Sequence, residues 1–406
     1  MNPKDTKNQI LLIANSSWYL SHYRKLLLNK LKSKQNYTLI TISPTDSYTS
    51  EISKISMNIS WKITRSRNKN IFLLFISLLR LILIFKRLKP RLVHSHTLKT
   101  NFLTSITSFI FGIPCVISFA GLGQIANAKG IKRIIFLLII KIMIFLSFRQ
   151  LSKNIITKNI KRTSFIFQNK NDMIFIKSIT NIPNKNSFLI YGSGVPDFYL
   201  NRNKSNYWMS DKHIKSNGKE INFHLIYLSR LLKSKGIITF IEIALFYKKH
   251  RSSVYGLIDS SSNDSISNKY INNIQEKNKN IKFHGQIKNP LLNQNYRYPI
   301  LLVPSNYGEG LPRGIIEALA LKIPVISSKK ASCNIFDESL IYIAKDNSIN
   351  SYKICINKII DDFNNGFIKT KLNRGHKFVK EKLLESNIVN KTISIYKYME
   401  DKNYKC

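Results

Sequence analysis

Short, nearly continuous apolar runs alternate along this chain with longer segments in which apolar residues recur every three or four positions. Runs of strand length fall at 10–14, 37–42, 92–94, 115–119, 154–157 and 188–191. They resume at 223–228, 254–258, 281–284, 300–303 and 325–327. Strands with no alternating polar face are those of a parallel sheet covered on both sides, so the pattern predicts two successive α/β sets of about 200 residues each. A Ser/Asn/Lys-rich stretch, 201–217, reads as the linker between them. The expected architecture is α/β, with two Rossmann-like domains facing across a cleft, and boundaries at 1–203 and 204–385. In such sheets ligands bind beyond the carboxyl ends of the strands, so the loops there carry the chemistry.

Three segments resemble membrane spans. Residues 71–85 are apolar but broken by Arg80; residues 134–148 hold Lys141, with Lys132, Arg133 and Arg149 at their ends. Each is 15 residues, short of the roughly 20 that a crossing needs. They are either core helices or an interfacial surface whose apolar residues enter the bilayer boundary while Lys and Arg meet headgroups. Residues 100–128 read as helix, turn at Gly112-Ile113-Pro114, strand, then glycine loop.

Charge sharpens this picture. The 406 residues hold 64 Lys/Arg against 22 Asp/Glu, a net +42, while 44% hydrophobic and 11% aromatic content excludes wholesale disorder. Residues 1–196 carry 30 Lys/Arg and four acids, and the 120 residues from 52 to 171 contain no acid. Such a surface favours a polyanion, either nucleic acid or an anionic membrane with phosphate-bearing substrates, although a Lys/Asn/Ile-rich composition contributes part of the excess. No zinc pattern, aromatic RNP-like strand or compact recognition helix accompanies the charge, which disfavours nucleic acid. Cysteines 115, 333, 355 and 406 form no disulfide framework or metal spacing, which suits a reducing compartment. The first apolar run, five residues ending in Asn15-Ser16-Ser17, is too short for a secretory signal.

Two segments carry candidate chemistry. After the run at 300–303 the chain reads Pro304-Ser305-Asn306-Tyr307-Gly308-Glu309-Gly310-Leu311-Pro312-Arg313-Gly314-Ile315-Ile316-Glu317. A helix beginning near Pro312–Arg313 would offer backbone N–H groups to an anion, with Gly310 permitting close approach. Glu309 would lie in the loop and Glu317 in the second turn, one for sugar hydroxyls and the other for ribose. The plain alternative is an acidic helix start that favours its own dipole. The second segment, Ser229-Arg230-Leu231-Leu232-Lys233-Ser234-Lys235-Gly236, runs from a strand into a basic loop. Arg230 and Lys235 suit a diphosphate leaving group, or are simply solvated surface cations.

Together these loops resemble glycosyltransferase family 4, retaining nucleotide-sugar transferases of the glycosyltransferase-B fold. Asn15-Ser16-Ser17-Trp18-Tyr19-Leu20-Ser21-His22-Tyr23-Arg24 is similar to the opening loop of bacterial members acting on lipid-linked sugars. Pro90-Arg91-Leu92-Val93-His94-Ser95-His96-Thr97, Phe167-Gln168-Asn169 and Gly192-Ser193-Gly194-Val195 are also similar to that subgroup, and Phe119-Ala120-Gly121-Leu122-Gly123 resembles its donor-sugar segment. The resemblance spans roughly 10 to 327. Ser229 replaces a usual Gly, 321–323 replaces a small-Gly-x segment, and Lys329-Lys330-Ala331-Ser332 replaces a Pro-Gly loop.

The resemblance implies that a hexose or N-acetylhexosamine moves from a nucleotide sugar, UDP-linked, to a polyprenyl-diphosphate sugar in capsule or O-antigen assembly. Arg230, Lys235 and the helix start would stabilise the leaving diphosphate. Glu309 would position the donor sugar and stabilise the transition state, and Glu317 would hold the ribose. Ser229, Gly310, Leu311, Pro312, Gly121 and Gly123 would complete the donor site. Trp18, His22 and Arg24 would line the acceptor groove, with Arg24 on its diphosphate, while Lys99 would bind phosphate. His94 and His96 are taken as alternating, so that one faces the core and His96 or Thr97 faces the site. With no Asp-x-Asp, no metal is expected. By fold analogy a final helix, within 386–406, returns to the first domain. The protein is expected on the cytoplasmic face of the cell membrane, held peripherally by an anionic surface, with no nucleic-acid partner. The alternative is a non-catalytic basic protein binding a membrane surface or nucleic acid.

Overall fold

The computed structural model describes residues 9–34, 37–63, 71–122, 130–152, 155–158, 162–201, 207–209, 221–259, 262–293, 295–307 and 310–403. Gly123, Glu309, Cys406 and most of the stretch 201–217 lie outside them. The chain divides into two compact units, 1–193 with 386–406, and 194–385.

The first unit contains strands β1 (Gln9–Ile13), β2 (Thr38–Ser43), β3 (Met57–Ser60), β4 (Leu92–His96), β5 (Cys115–Phe119), β6 (Arg149–Ser152), β7 (Ile155–Lys158), β8 (Thr163–Phe167) and β9 (Ser187–Leu189). Its helices are α1 (Ser17–Tyr23), α2 (Lys25–Lys32), α3 (Thr49–Ser53), α4 (Ile71–Leu88), α5 (Leu98–Phe111), α6 (Ile131–Ser147) and α7 (Lys170–Ile179). Seven parallel strands run in the order β3-β2-β1-β4-β5-β8-β9. Every residue of β1, β5 and β8 is buried, because helices cover both faces. Leu81 and Phe85 of α4 and Ile140 and Met143 of α6 pack on one face. Leu20, Leu27 and Leu31 of α1 and α2 pack on the other, with Ile388, Tyr396 and Met399 of the C-terminal helix. Local chemistry starts and stops the helices. Ser16 Oγ accepts from Tyr19 N at α1, Asn169 accepts from Asp172 N at α7, and Gly112 closes α5 at φ +68°.

The second unit repeats the plan with β10 (His224–Leu228), β11 (Arg251–Tyr255), β12 (Ile281–Phe283), β13 (Pro299–Val303), β14 (Val325–Ser328) and β15 (Tyr342–Ala344), in the parallel order β12-β11-β10-β13-β14-β15. Its helices are α8 (Ile237–Phe246), α9 (Asn268–Lys277), α10 (Pro290–Asn293), α11 (Arg313–Ala320), α12 (Ile349–Asn364) and α13 (Phe367–Lys382); α14 (Glu385–Asn403) is the C-terminal helix. This is the expected pair of parallel-sheet α/β domains.

Several expectations are corrected. The strand expected at 154–157 belongs to an antiparallel hairpin, β6–β7, outside the main sheet. The strand beside β5 is β8, which Thr163 and Ser164 disguise as polar although both are buried. Strand β3 lacks an apolar run and is an edge strand with Met57 56% exposed, while β15 lies in the short run 340–344 that the pattern above did not include. The unit boundary follows Ser193, not residue 203, because Val195 pairs with Leu384 and Tyr199 OH donates to Asn289 Oδ1 at 3.2 Å. Among the described residues no helix is long and apolar enough to cross a membrane.

Candidate active site

Three loops leave the carboxyl ends of β10, β11 and β13, and two glycines let them touch. At Gly236, φ is +79° and a Cβ would sit 2.0 Å from Pro304 O. At Gly256 a Cβ would sit 1.8 Å from Ser229 O. No side chain fits at either position. Backbone bonds complete the join: Asn306 N donates to Ser234 O at 2.9 Å and Leu231 N to Leu257 O at 3.0 Å. Asp264 holds the basic loop from beneath, accepting from Ser234 N at 3.2 Å and from the Ser234 hydroxyl.

The loop fixes its two cations differently. Arg230 is half exposed and its Nη1 meets Asp259 Oδ2 at 3.0 Å. Lys235 is only 7% exposed, with Nζ 4.2 Å from the centre of the Tyr307 ring. The face of an aromatic ring attracts a cation through its quadrupole, so Tyr307 helps to hold Lys235 where there is little water. Ser229 contributes backbone: its N–H donates to Tyr255 O at 3.1 Å.

Next to this loop, α11 begins at Arg313 with Pro312 as its cap, as expected, and its first turn holds no acid. The positive end of the helix is therefore not neutralised from within. Gly310 and Pro312 are buried and Leu311 is partly so. Glu317 is buried. Its Oε1 accepts from Arg313 Nε at 2.8 Å, and Tyr199 donates to the same carboxylate. Burial pushes its pKa above the usual carboxylate range, while Arg313 and Tyr199 oppose the rise. Tyr199 is in turn pushed up by burial and by the neighbouring charge.

In the first unit, Trp18 and His22 lie one turn apart on α1, stacked at 4.8 Å, and both are partly exposed. Arg24, at the α1–α2 junction, is only 6% exposed. Its Nη2 donates to Tyr19 OH at 3.0 Å, its Nε has no partner, and it makes no ion pair among the described residues. His94 and His96 do not alternate between core and site. Residues two apart on a strand share a face, and both rings are buried with centroids 4.0 Å apart. His94 bonds Tyr396 OH at 2.5 Å and Ser118 Oγ at 2.7 Å, while neither ring nitrogen of His96 has a partner. Burial first, then the charge of Arg24 for His94 and those of His94 and Arg24 for His96, hold both well below the usual histidine range. The acceptor role expected for His96 thus meets a ring with no exposed surface. Thr97, between β4 and α5, has φ +77°, a strained value for a β-branched residue. Lys99 is exposed, and partial desolvation lowers its pKa. Gly121 turns at φ +90°.

Several residues escaped the sequence pattern. Tyr307 stands beside Gly308 in the quoted segment, yet only the pairing of β10 with β13 brings it to Lys235. Asp259 and Asp264 lie in a Ser-rich stretch that reads as plain loop. Asp172, the first acid after the acid-free interval, accepts from Leu122 N at 3.1 Å and so anchors the residue after Gly121. Among the described residues no group of three or more His, Cys, Asp or Glu is gathered for a metal.

Comparison with known proteins bears on both units. Residues 9–169 match the family model "Glycosyl transferase 4-like", and residues 209–365 match "Glycosyl transferases group 1". No curated protein sequence matches the chain. Among solved structures, the sucrose-phosphate synthase of Thermosynechococcus elongatus superposes with TM-score 0.73 at 15% identity, covering 97% of this chain and 99% of that one. HepE of Anabaena, solved in complex with UDP, gives 0.68 at 13%, covering 96% and 99%. WaaG, a glycosyltransferase involved in lipopolysaccharide biosynthesis, gives 0.63 at 12%, covering 95% and 99%. These likenesses show the fold, the glycosyltransferase-B arrangement of two α/β domains.

Proposed function

We propose that this chain, a glycosyltransferase of the GT-B type, moves a hexose or N-acetylhexosamine from a UDP-sugar to a polyprenyl-diphosphate-linked sugar, retaining the anomeric configuration, in surface polysaccharide assembly. It works as a peripheral protein on the cytoplasmic face of the cell membrane. The observation that carries the donor half is the joined loop surface at β10, β11 and β13, with Lys235 held on Tyr307 and a first turn of α11 that holds no acid. Departure of a nucleoside diphosphate concentrates negative charge on its terminal phosphate. Fixed donors already aimed there stabilise that charge without reorganising, which is the largest lever such a site has. UDP in HepE supports the choice of nucleotide by likeness of fold.

For the acceptor half, a buried guanidinium without an acid is costly, and an anion beside it offsets that cost. Arg24 is such a group, and the diphosphate of a lipid-linked sugar is such an anion. The role of WaaG in lipopolysaccharide biosynthesis supports an acceptor of this class. The resemblance of its loop suggests that Glu309 positions the donor sugar, and Glu317 would meet the ribose with its remaining lone pairs.

The test is a panel of nucleotide sugars against lipid-linked acceptors, read by product mass, with Arg230→Ala and Lys235→Gln beside the wild type. Both variants are expected to lose transfer by about 100-fold. Wild-type turnover in either would remove the donor-site assignment. Absence of any sugar transfer, with nucleic-acid binding that collapses as salt rises, would replace the proposal with the non-catalytic reading.

A further inference from the structure

Two helices of the first unit are apolar on both sides. α4 turns Leu81, Phe85 and Leu88 into the core, and α6 turns in Phe136, Ile140 and Met143. On the opposite side α4 exposes Phe75, Leu79 and Leu83, four residues apart, at 44–65%. α6 does the same with Ile131, Ile134, Ile135, Leu138 and Phe145, at 47–75%. A helix facing water carries polar residues there instead. Both helices join one core cluster and both contact α5, so the two stripes belong to a single layer on one face of the sheet. Exposed cations are interspersed: Arg80, Lys86 and Arg87 on α4, and Lys132, Arg133 and Lys141 on α6. Arg149 lies over the Phe145 ring at 3.6 Å. No acid occurs between residues 52 and 171.

We propose that the outer faces of α4 and α6 form one docking surface for an anionic lipid bilayer. Both helices lie in the plane of the headgroups, with their outer Leu, Ile and Phe side chains in the acyl boundary. Charge selects this occupant. A second copy would set one acid-free cationic face against another, whereas anionic headgroups complement it. Length sets the mode, because neither helix is long and apolar enough to cross. The inference deepens the proposed membrane placement and stands whether or not the acceptor is lipid-linked.

The experiment is co-sedimentation of the full chain with phosphatidylglycerol–phosphatidylcholine vesicles and with phosphatidylcholine vesicles. Leu79→Glu with Leu83→Glu, and separately Ile134→Glu with Leu138→Glu, are each expected to weaken binding to the anionic vesicles by about tenfold or more. Lys132→Ser with Arg133→Ser should reduce the preference for anionic over neutral vesicles by about tenfold, leaving the apolar contribution. Unfolding midpoints of the apolar-to-Glu variants should match the wild type, since these side chains lie outside the core. Transfer to a detergent-soluble short-chain acceptor should be unchanged in them. Vesicle binding without any sugar transfer would remove the enzymatic reading and leave this surface standing. Wild-type binding by the Glu variants would overturn the proposal. So would a wild-type dimer, seen by light scattering, that ignores vesicles and falls to monomers with Leu138→Glu.

Discussion

Replacing Gly236 by Ala tests whether the loops of the second unit are joined as tightly as their backbones indicate. Gly366, at the start of α13, supplies a matched control. Its φ is +76° against +79° at Gly236, but nothing lies within 4 Å of an added Cβ, whereas at Gly236 the Cβ would be 2.0 Å from Pro304 O. Positive φ costs an alanine about 1–2 kcal/mol, offset by up to about 1 kcal/mol through the stiffer unfolded chain. Gly366→Ala should therefore lose about 1 kcal/mol. In Gly236→Ala one backbone must also retreat by about 1 Å, which strains two bonds, Asn306 N to Ser234 O and Phe240 N to Gly236 O, both 2.9 Å. At about 1 kcal/mol each, the total loss is about 3 kcal/mol. Urea unfolding of the two variants measures the difference, expected near 2 kcal/mol. Transfer should fall about 100-fold in Gly236→Ala, because a 1 Å displacement carries Lys235 and Tyr307 with it, and should change little in Gly366→Ala. Equal stability losses in the two variants would refute the close contact on which the proposed donor site rests.

The neutral burial of His94 and His96 makes the first unit acid-sensitive. Their folded pKa values lie below the unfolded value of about 6.5, so the unfolded chain binds protons first; stability is complete above that pH and falls below it, by about 1.4 kcal/mol per pH unit for each ring. Unfolding midpoints at pH 5.0 and 7.5 should show this loss, and His96→Gln should shallow the slope. Thr97→Gly should raise stability by about 1 kcal/mol in urea, since the strain at φ +77° outweighs the extra entropy of glycine; a loss would mean the Thr97 hydroxyl matters more than its backbone. Glu317→Ala should cost about 1–3 kcal/mol by removing the buried carboxylate that accepts from Arg313 Nε, so it does not leave the fold intact as a surface change would. Glu317→Gln should retain most of that stability while weakening UDP affinity in calorimetry.

The amino-acid sequence by itself determined the alternation of strands and helices and the two parallel-sheet α/β units. Most of the short continuous apolar runs are strands buried on both faces, and the loops after 223–228 and 300–303 leave the carboxyl ends of two of them. Helix α11 starts where Pro312 and Arg313 predicted, and α4 and α6 appear as the long apolar segments they are. Strand β8 was hidden because its buried Thr163 and Ser164 are satisfied inside the fold, and local polarity cannot reveal a partner such as Ser147 O.

Only the tertiary structure decided which charges act together. Lys235 meets Tyr307 because β10 and β13 are neighbours in a parallel sheet, a pairing of segments some seventy residues apart that no local pattern encodes. The same order turns Gly236 and Gly256 from ordinary loop glycines into positions where backbone meets backbone. In the first unit, packing sealed both histidines of β4, which the strand's two-residue period had already put on one face. For α4 and α6 the sequence supplied apolar residues all round each helix. Packing against one side of a sheet used half of them and left the other half outward, because a sheet has only two faces and each helix can bury only one stripe.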